Sequence, residues 1–268
     1  MTGWRWAVVW AMGLVGGLLA RIPARTHWLV MGATSVFPYV KASVATWAKT
    51  HPGYAVAVTG GGSWAGLAAL DRGHADIGVS DLPPELWRPA RPLLRIPLGA
   101  MPILFVAHRG IGVGCLDRSQ LQAVFHGTVS NWRTLGGRAE PVTVVVRPPG
   151  SGAREVVRRY LGESGAGPRL VTQLSNGAVL AVVATTPGAI GYVEGPRTVP
   201  GVVTLCVDGQ RWSPAKAQAW PLQAIPSLYL DPSRLGDPAF RSLVQWLATD
   251  PARLTFGLFP LQPGGGGE

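Results

Sequence analysis

The strongest constraint on the fold is a unit that recurs along the chain: a short apolar strand, a loop of small and hydroxyl-bearing residues, and a helix. The loops are Thr34-Ser35, Ser63 and Ser151-Gly152. Strands separated by short helices predict a parallel sheet with right-handed crossovers, and therefore an α/β protein. A helix start carries unpaired N–H groups and partial positive charge, so each loop is a candidate anion site. Ordinary helix caps show the same pattern, and the loops alone do not separate the two interpretations.

Hydrophobic periodicity and cap signals predict the individual elements. We predict strands at 27–31, 54–59, 75–79, 96–107, 141–147 and 188–193, and helices at 36–49, 64–71, 117–127, 153–161 and from 238 onward. Ser63 is the expected cap of the second helix, Asp117 and Gln120 have capping-box spacing, and Asp237 precedes the last helix. The long strand 96–107 contains Pro97 and Pro102 and is a candidate for the passage into a second lobe.

Charge favours anionic partners without identifying one. The 268 residues carry a net charge of +10, yet all cationic residues except Lys41, Lys49 and Lys216 are arginines scattered along the chain. No basic block or aromatic-basic interleaving of the nucleic-acid-binding type is present, so we expect no nucleic-acid partner. The five histidines have no clustered spacing, and we expect neither a metal nor another cofactor.

The N-terminal segment is typical of export. Residues 6–20 are apolar or small and lie between Arg5 and Arg21. This run is shorter than the ~20 residues of a spanning helix and fits a signal peptide, either cleaved after Ala20 or Ala24 or retained as an anchor. We therefore expect an extracytoplasmic protein. Export would permit a disulfide between Cys115 and Cys206, although two separate thiols are equally compatible with the sequence.

Seven motifs in consistent order resemble the phosphate-binding proteins of ABC phosphate transporters. They cover nearly all of the chain after the signal segment. Gly32 to Pro38 resembles GSTxxxP, Gly61 to Gly66 resembles GGSGAG, and Ala75 to Asp81 is similar to ADIGxSD. The other four motifs begin further along the chain: FHGTVSNW at Phe125, RPPGSGA at Arg147, GAIGYV at Gly188 and WPL at Trp220.

The resemblance implies a type II periplasmic-binding-protein fold, in which two α/β lobes enclose a ligand cleft. Residues 1–25 would be the signal peptide or anchor, and 263–268 a disordered tail. Lobe 1 would comprise 26–95 together with 194–262, and lobe 2 would comprise 96–193. The partners it implies are inorganic phosphate and the membrane permease of an ABC importer, with the binding protein a monomer.

Residue by residue, the resemblance also implies a phosphate site made of hydrogen bonds without a metal. Arg147 would be its single cationic group, suited to two phosphate oxygens at once. Asp81 would accept the proton of phosphate and so reject sulfate, which has no proton to give. The remaining donors would come from three helix starts: Thr34, Ser35, Val36, Phe37, Ser63, Ser151, Gly152 and Ala153.

Two residues depart from the family pattern. Ala153 stands where threonine is usual and removes one hydroxyl donor, while Trp64 replaces a small residue and is positioned to narrow or cover the cleft. Three functional hypotheses follow: a phosphate receptor of an ABC importer, a phosphate sensor or other oxyanion-binding module, and a phosphatase on the same scaffold. The sequence contains no GxSxG motif and no recognisable metal cluster, which disfavours the enzyme.

Overall fold

The computed structural model describes residues 26–162, 169–197 and 199–261. The predicted signal segment 1–25 and the predicted tail 263–268 lie outside the described residues. Six α-helices are described: α1 (Phe37–Ala48), α2 (Ser63–Asp71), α3 (Arg118–Phe125), α4 (Gly152–Leu161), α5 (Asn176–Thr185) and α6 (Pro238–Thr249).

Thirteen strands accompany these helices in the described part of the chain. They are β1 (Thr26–Gly32), β2 (Tyr54–Gly60), β3 (Ile77–Ser80), β4 (Leu94–Pro97), β5 (Met101–His108), β6 (Cys115–Leu116), β7 (Thr143–Val146), β8 (Leu170–Thr172), β9 (Ala189–Glu194), β10 (Val202–Thr204), β11 (Cys206–Val207), β12 (Gln223–Ala224) and β13 (Ser227–Leu230).

Two sheets define two lobes. The first sheet has the order β2-β1-β3-β13-β4, with β1, β2 and β3 parallel and β13 antiparallel to both of its neighbours. The second has the order β10-β5-β9-β7-β8, and β12 also pairs with β5. Hydrophobic clusters cover both faces of each sheet, as the parallel strands require.

The chain passes between the lobes twice. It leaves the first sheet after Pro97 and enters the second at Met101, and it returns between Ala224 and Ser227. The two passages contact each other, because the Leu98 N–H donates to the Pro226 carbonyl at 2.8 Å. The predicted single strand 96–107 is therefore two strands in different sheets, since an apolar run does not reveal which sheet its residues join.

The assignment of residues 194–262 to lobe 1 needs correction. Strands β10 and β12 pair antiparallel with β5 in the second sheet, and β11 pairs with β6 beside it. The return to the first lobe therefore comes about thirty residues later than expected, just before β13. Short strands with little periodicity gave no local signal for this placement.

Local cap signals predicted the helices well. Asp117 and Gln120 form the capping box of α3, and Asp237 caps α6 through the Ala239 and Phe240 N–H groups. The predicted buried face of α1 is confirmed at Val36, Val40, Val44 and Trp47. The last helix likewise buries Phe240, Leu243, Val244 and Leu247.

Cys115 and Cys206 form a disulfide. The two residues are direct partners in the parallel pair β6–β11, with Cα atoms 4.4 Å apart. The sequence left the thiol state open, because the pairing spans 91 residues and depends on the fold of the second lobe.

Candidate oxyanion site between the lobes

The loop after β1 places two hydroxyls at the cleft. Gly32 ends the strand at φ 149°, and a Cβ there would lie 1.9 Å from the Val79 carbonyl oxygen, so the close approach of β1 and β3 requires glycine. Ser35 is buried and its Oγ donates to Asp81 Oδ2 at 2.8 Å. Thr34 Oγ1 accepts a hydrogen bond from Arg147 Nη2 at 3.0 Å.

Ser63 acts differently from its predicted role. Gly62 occupies the cap position of α2, Ser63 is the first helical residue, and the Ser63 side chain makes no capping hydrogen bond. Its buried hydroxyl instead donates to Asp81 Oδ1 and accepts from the Asp81 N–H at 3.2 Å. The prediction of a Ser63 cap is therefore wrong, because a carboxylate from the neighbouring strand end takes the hydroxyl.

Asp81 lies where donors from both lobes meet. It follows β3, is 5% exposed, and receives both serine hydroxyls of the first lobe. From the second lobe, the Gly152 N–H at the start of α4 donates to Oδ1 at 3.1 Å. A Cβ on Gly152 would lie 2.1 Å from the same oxygen, so only glycine lets α4 approach this closely.

The donors determine the charge of Asp81. Burial alone would raise its pKa, but the neighbouring Glu194 carboxyl, the hydrogen bonds from Ser63 and Ser35, and the Arg147 charge outweigh burial and lower the pKa below its ordinary value. Asp81 is therefore an ionised acceptor at neutral pH. The donors of the cleft therefore bind the negatively charged carboxylate of Asp81 in this structure.

Arg147 is the buried cation of the site. It follows β7, is 3% exposed, and its Nη2 donates to Thr34 of the first lobe and to the Leu174 carbonyl, both at 3.0 Å. Its Nη1 donates to Asn176 Oδ1 at 3.1 Å and lies 3.5 Å from Glu194 Oε2. The guanidinium thus links both lobes.

Other predicted site residues lie close by without bonding to Asp81. Ser151 precedes α4, makes no side-chain cap, and lines the cleft next to Arg147. Ala153 is fully buried in the first turn of α4, and Val36 and Phe37 lie at the start of α1. Ser151, Ala153, Val36 and Phe37 could donate hydrogen bonds to an anion through backbone N–H groups, and Ser151 also through its hydroxyl.

Trp64 lies at the entrance of the cleft. Its side chain is 43% exposed, and a Cβ on Gly150 would lie 2.2 Å from Trp64 Cδ1, so the indole of lobe 1 packs on the glycine loop of lobe 2. The cleft behind it has a volume of about 320 Å³ and is lined by residues of both lobes, including Thr34, Arg147 and Ser175. Trp64 covers the cleft, as its unusual position in the loop suggested.

Sequence reasoning missed four residues at this site. Glu194 and Tyr192 lie on β9, Arg197 follows that strand, and Asn176 begins α5, a helix that was not predicted. A signal existed for Glu194, because it ends an apolar strand directly after GAIGYV, and strand carboxyl ends form the sites of open α/β sheets. Asn176 follows Ser175, which caps α5 and repeats the hydroxyl-loop pattern.

Within 26–162, 169–197 and 199–261, no group of three or more His, Cys, Asp or Glu side chains is arranged to hold a metal ion. No helix in those ranges is long and apolar enough to cross a membrane.

The fold and the site define the class of protein: a two-lobed binding protein of the type II periplasmic-binding-protein fold, with a polar cleft between the lobes. Comparison with known families agrees. A match to the PBP superfamily domain covers residues 20–201, and the chain belongs to this superfamily.

Individual relatives share the fold and some of the sequence. The phosphate-binding protein PstS of Bacillus subtilis (strain 168) is 29% identical over 183 residues, which are 67% of this chain and 61% of that protein. The match thus spans about three fifths of the length of this curated relative.

Solved structures extend the likeness over most of the chain. A putative phosphate ABC transporter substrate-binding protein with bound phosphate from Clostridium perfringens superposes with a TM-score of 0.79 at 21% identity, covering 88% of this chain and 100% of the other. An ABC-type phosphate transport receptor from Vibrio cholerae gives 0.71 at 22% identity, covering 87% and 99%. These structures support the fold.

Proposed function

We propose that this protein is an extracytoplasmic receptor that binds inorganic phosphate between its lobes and delivers it to the permease of an ABC importer. The observation that carries the proposal is the convergence of two hydroxyls from lobe 1 and a helix N-terminus from lobe 2 on the buried Asp81 carboxylate, with the Arg147 guanidinium bonded to Thr34 of the same cleft. The names of the relatives in Bacillus, Clostridium and Vibrio support the choice of phosphate.

The chemistry of the cleft suits an oxyanion that still carries a proton. The serine hydroxyls and the start of α4 donate to Asp81 in this structure, and on binding they would turn to the anionic oxygens beside the Arg147 guanidinium. Asp81 is an ionised acceptor, so an incoming oxyanion must bring a hydrogen for it. Phosphate near neutral pH has an O–H group to donate, whereas sulfate would leave two unprotonated anions face to face.

We infer binding rather than turnover. Ser35 and Ser63 would be the nucleophiles of a phosphatase, and Asp81, to which both hydroxyls donate, would be their general base. The lowered pKa of Asp81 makes it a weak base for either serine. An assay with a chromogenic phosphate ester tests this point, and sustained turnover that disappears in Ser63→Ala would contradict it.

The disulfide supports the extracytoplasmic location. Disulfides persist mainly in oxidising compartments, and the Cys115–Cys206 bond links two short strands of lobe 2. The net charge of +10 further favours an anionic ligand. Both observations agree with a receptor for an anion outside the cytoplasm.

Calorimetric titration of the full-length chain with phosphate and with sulfate tests the proposal. We expect saturable binding of phosphate at one site per chain and no measurable binding of sulfate under the same conditions. Equal binding of both anions, or binding of neither, would contradict it.

A further inference from the structure

Glu194 is a buried carboxyl without a hydrogen-bond donor. In the described ranges, four buried side-chain nitrogen or oxygen atoms lack a hydrogen-bond partner: Arg147 Nε, both carboxyl oxygens of Glu194, and Trp212 Nε1. Glu194 is 1% exposed at the end of β9. A buried charge without donors is costly, so the arrangement calls for a proton on this carboxyl.

The groups around Glu194 leave its carboxyl facing one cation and one carboxylate. The Asn176 side chain hydrogen-bonds the main chain of Glu194: Asn176 Nδ2 donates to the Glu194 carbonyl, and the Glu194 N–H donates to Asn176 Oδ1, both at 3.3 Å. Arg197 Nε donates to the same carbonyl at 3.3 Å. The carboxyl itself faces Arg147 Nη1, 3.5 Å from Oε2, and the Asp81 side chain.

Two further ionisable groups lie near this cluster without changing its charge balance. Tyr192 Oη accepts from the Arg147 N–H at 3.1 Å, and burial raises the pKa of Tyr192 to about 12, so it is neutral. Arg154 Nη1 donates to the Arg147 main-chain carbonyl at 2.8 Å, so this bond of the Arg154 guanidinium is not to either carboxyl.

The donors decide which carboxyl is ionised. Asp81 receives three hydrogen bonds from Ser35, Ser63 and Gly152, whereas Glu194 receives none. Burial, and then the neighbouring Asp81 charge, raise the pKa of Glu194 well above its ordinary value. Arg147 faces both carboxyls, whereas Arg197 reaches Glu194 only at its main-chain carbonyl, and the two adjacent carboxyls share a single negative charge at neutral pH.

We propose that Glu194 sets the charge of the cleft: its carboxyl carries a proton, donates it in a hydrogen bond to Asp81, and by staying uncharged keeps the cleft receptive to an anion. The choice of phosphate as the ligand rests on the proposed function, whereas the protonation of Glu194 does not. Rising pH ionises Glu194, places two carboxylates against Arg147, and weakens anion binding.

The first test needs no phosphate. Infrared spectra of the full-length chain at neutral pH should show the carbonyl stretch of a protonated carboxylic acid in the wild type, and the band should be lost in Glu194→Gln. Glu140→Gln, a change of the same kind outside the cleft, should keep it. Loss of the same band as the pH of the wild type is raised provides a second measurement if Glu194→Gln does not fold. A wild-type spectrum without the band overturns the proposal.

The second test is phosphate titration across neutral and alkaline pH. Glutamine has the size of Glu194 but cannot ionise. Between neutral and alkaline pH, the loss of phosphate affinity should therefore be about tenfold smaller in Glu194→Gln than in the wild type and in Glu140→Gln. If phosphate affinity changes with pH in the same way in Glu194→Gln and in the wild type, the proposed role of Glu194 in anion binding is overturned. If neither the wild type nor the variants bind phosphate but the infrared band behaves as expected, the proposed function fails while the protonation of Glu194 is supported.

Discussion

At the scale of single residues, we propose that Asp81 decides which oxyanion the cleft accepts. It is an acceptor held by donors from both lobes, and the lowered pKa keeps it ionised. A group whose folded pKa is lowered stabilises the fold above its unfolded pKa, and this stabilisation is lost as pH falls through the folded pKa. The ionised Asp81 therefore stabilises the closed cleft at neutral pH, and this stabilisation is lost as pH falls.

Replacing Asp81 should relax this selectivity. Asp81→Asn removes the negative charge and offers an amide donor, so we expect sulfate to gain about 5- to 150-fold in affinity relative to phosphate, equivalent to ~1–3 kcal/mol. Competitive calorimetric titration with both anions measures the ratio. Asp71→Asn, at the end of α2, is the control and should behave as the wild type. An unchanged phosphate-to-sulfate ratio in Asp81→Asn would rule out this role.

Much of the site was predictable at this scale, and one part was not. Thr34, Ser35, Ser63, Asp81, Arg147 and Gly152 belong to local motifs, and the structure brings them together. Glu194 escaped notice because its partners Arg147 and Asp81 are distant in sequence and join it only when β7, β9 and β3 end at the same cleft. A single carboxylate at the end of an apolar strand carries no local sign of such partners.

At the scale of elements, the start of α4 determines how closely the lobes approach. Gly152→Ala would place a Cβ against Asp81 Oδ1 and the Asp81 main chain. Since the overlap lies between lobes, we expect the lobes to fold and the cleft to close poorly. A cost of about 1–3 kcal/mol would weaken phosphate binding about 5- to 150-fold.

The matched control is Gly177→Ala in the first turn of α5. A Cβ at Gly177 meets nothing closer than Ser175 Oγ at 3.9 Å. Calorimetric titration of both variants, with circular dichroism to verify folding, compares the two positions. Wild-type affinity in Gly152→Ala would show that α4 does not approach Asp81 as described.

The disulfide joins β6 to β11 and should stabilise the second lobe. It closes a segment with a sequence separation of 91 residues, for which chain entropy predicts a contribution of about 4–5 kcal/mol to the free energy of unfolding. Replacing Cys115 and Cys206 with Ala should lower the denaturation midpoint, and a reductant should then have no further effect. Equal midpoints for the oxidised wild type and this variant would contradict the contribution.

Helix ends were easier to predict than strand partners. Asp117 with Gln120 and Asp237 with Pro238 are complete local signals, and α3 and α6 begin there. The split of 96–107 and the placement of 202–224 depend on which sheet each strand joins, and that choice is made by contacts across the whole lobe.

At the scale of the whole molecule, a surface ion pair connects the lobes beside a pocket that Asp81 also lines. Arg159 on α4 pairs with Glu85 of lobe 1, and both side chains are well exposed. Such pairs contribute about 0–1 kcal/mol and are screened by salt. Arg159→Ala should therefore weaken phosphate binding by less than about tenfold at low ionic strength and have no effect at high salt.

Titration at two salt concentrations checks this small contribution. Arg241→Ala is the control, because Arg241 Nη1 donates to the Leu235 carbonyl within lobe 1. Both variants should match the wild type at high salt. A large, salt-independent loss in Arg159→Ala would mean that closure depends on this pair more than on the buried cleft.

The most direct test of the account is a crystal structure of the protein grown with phosphate. We expect one phosphate ion between the lobes, hydrogen-bonded by the Arg147 guanidinium and the hydroxyls of the first lobe, with Asp81 within hydrogen-bonding distance of a phosphate oxygen. An ion bound elsewhere, or an Arg147 side chain in bulk solvent, would contradict it.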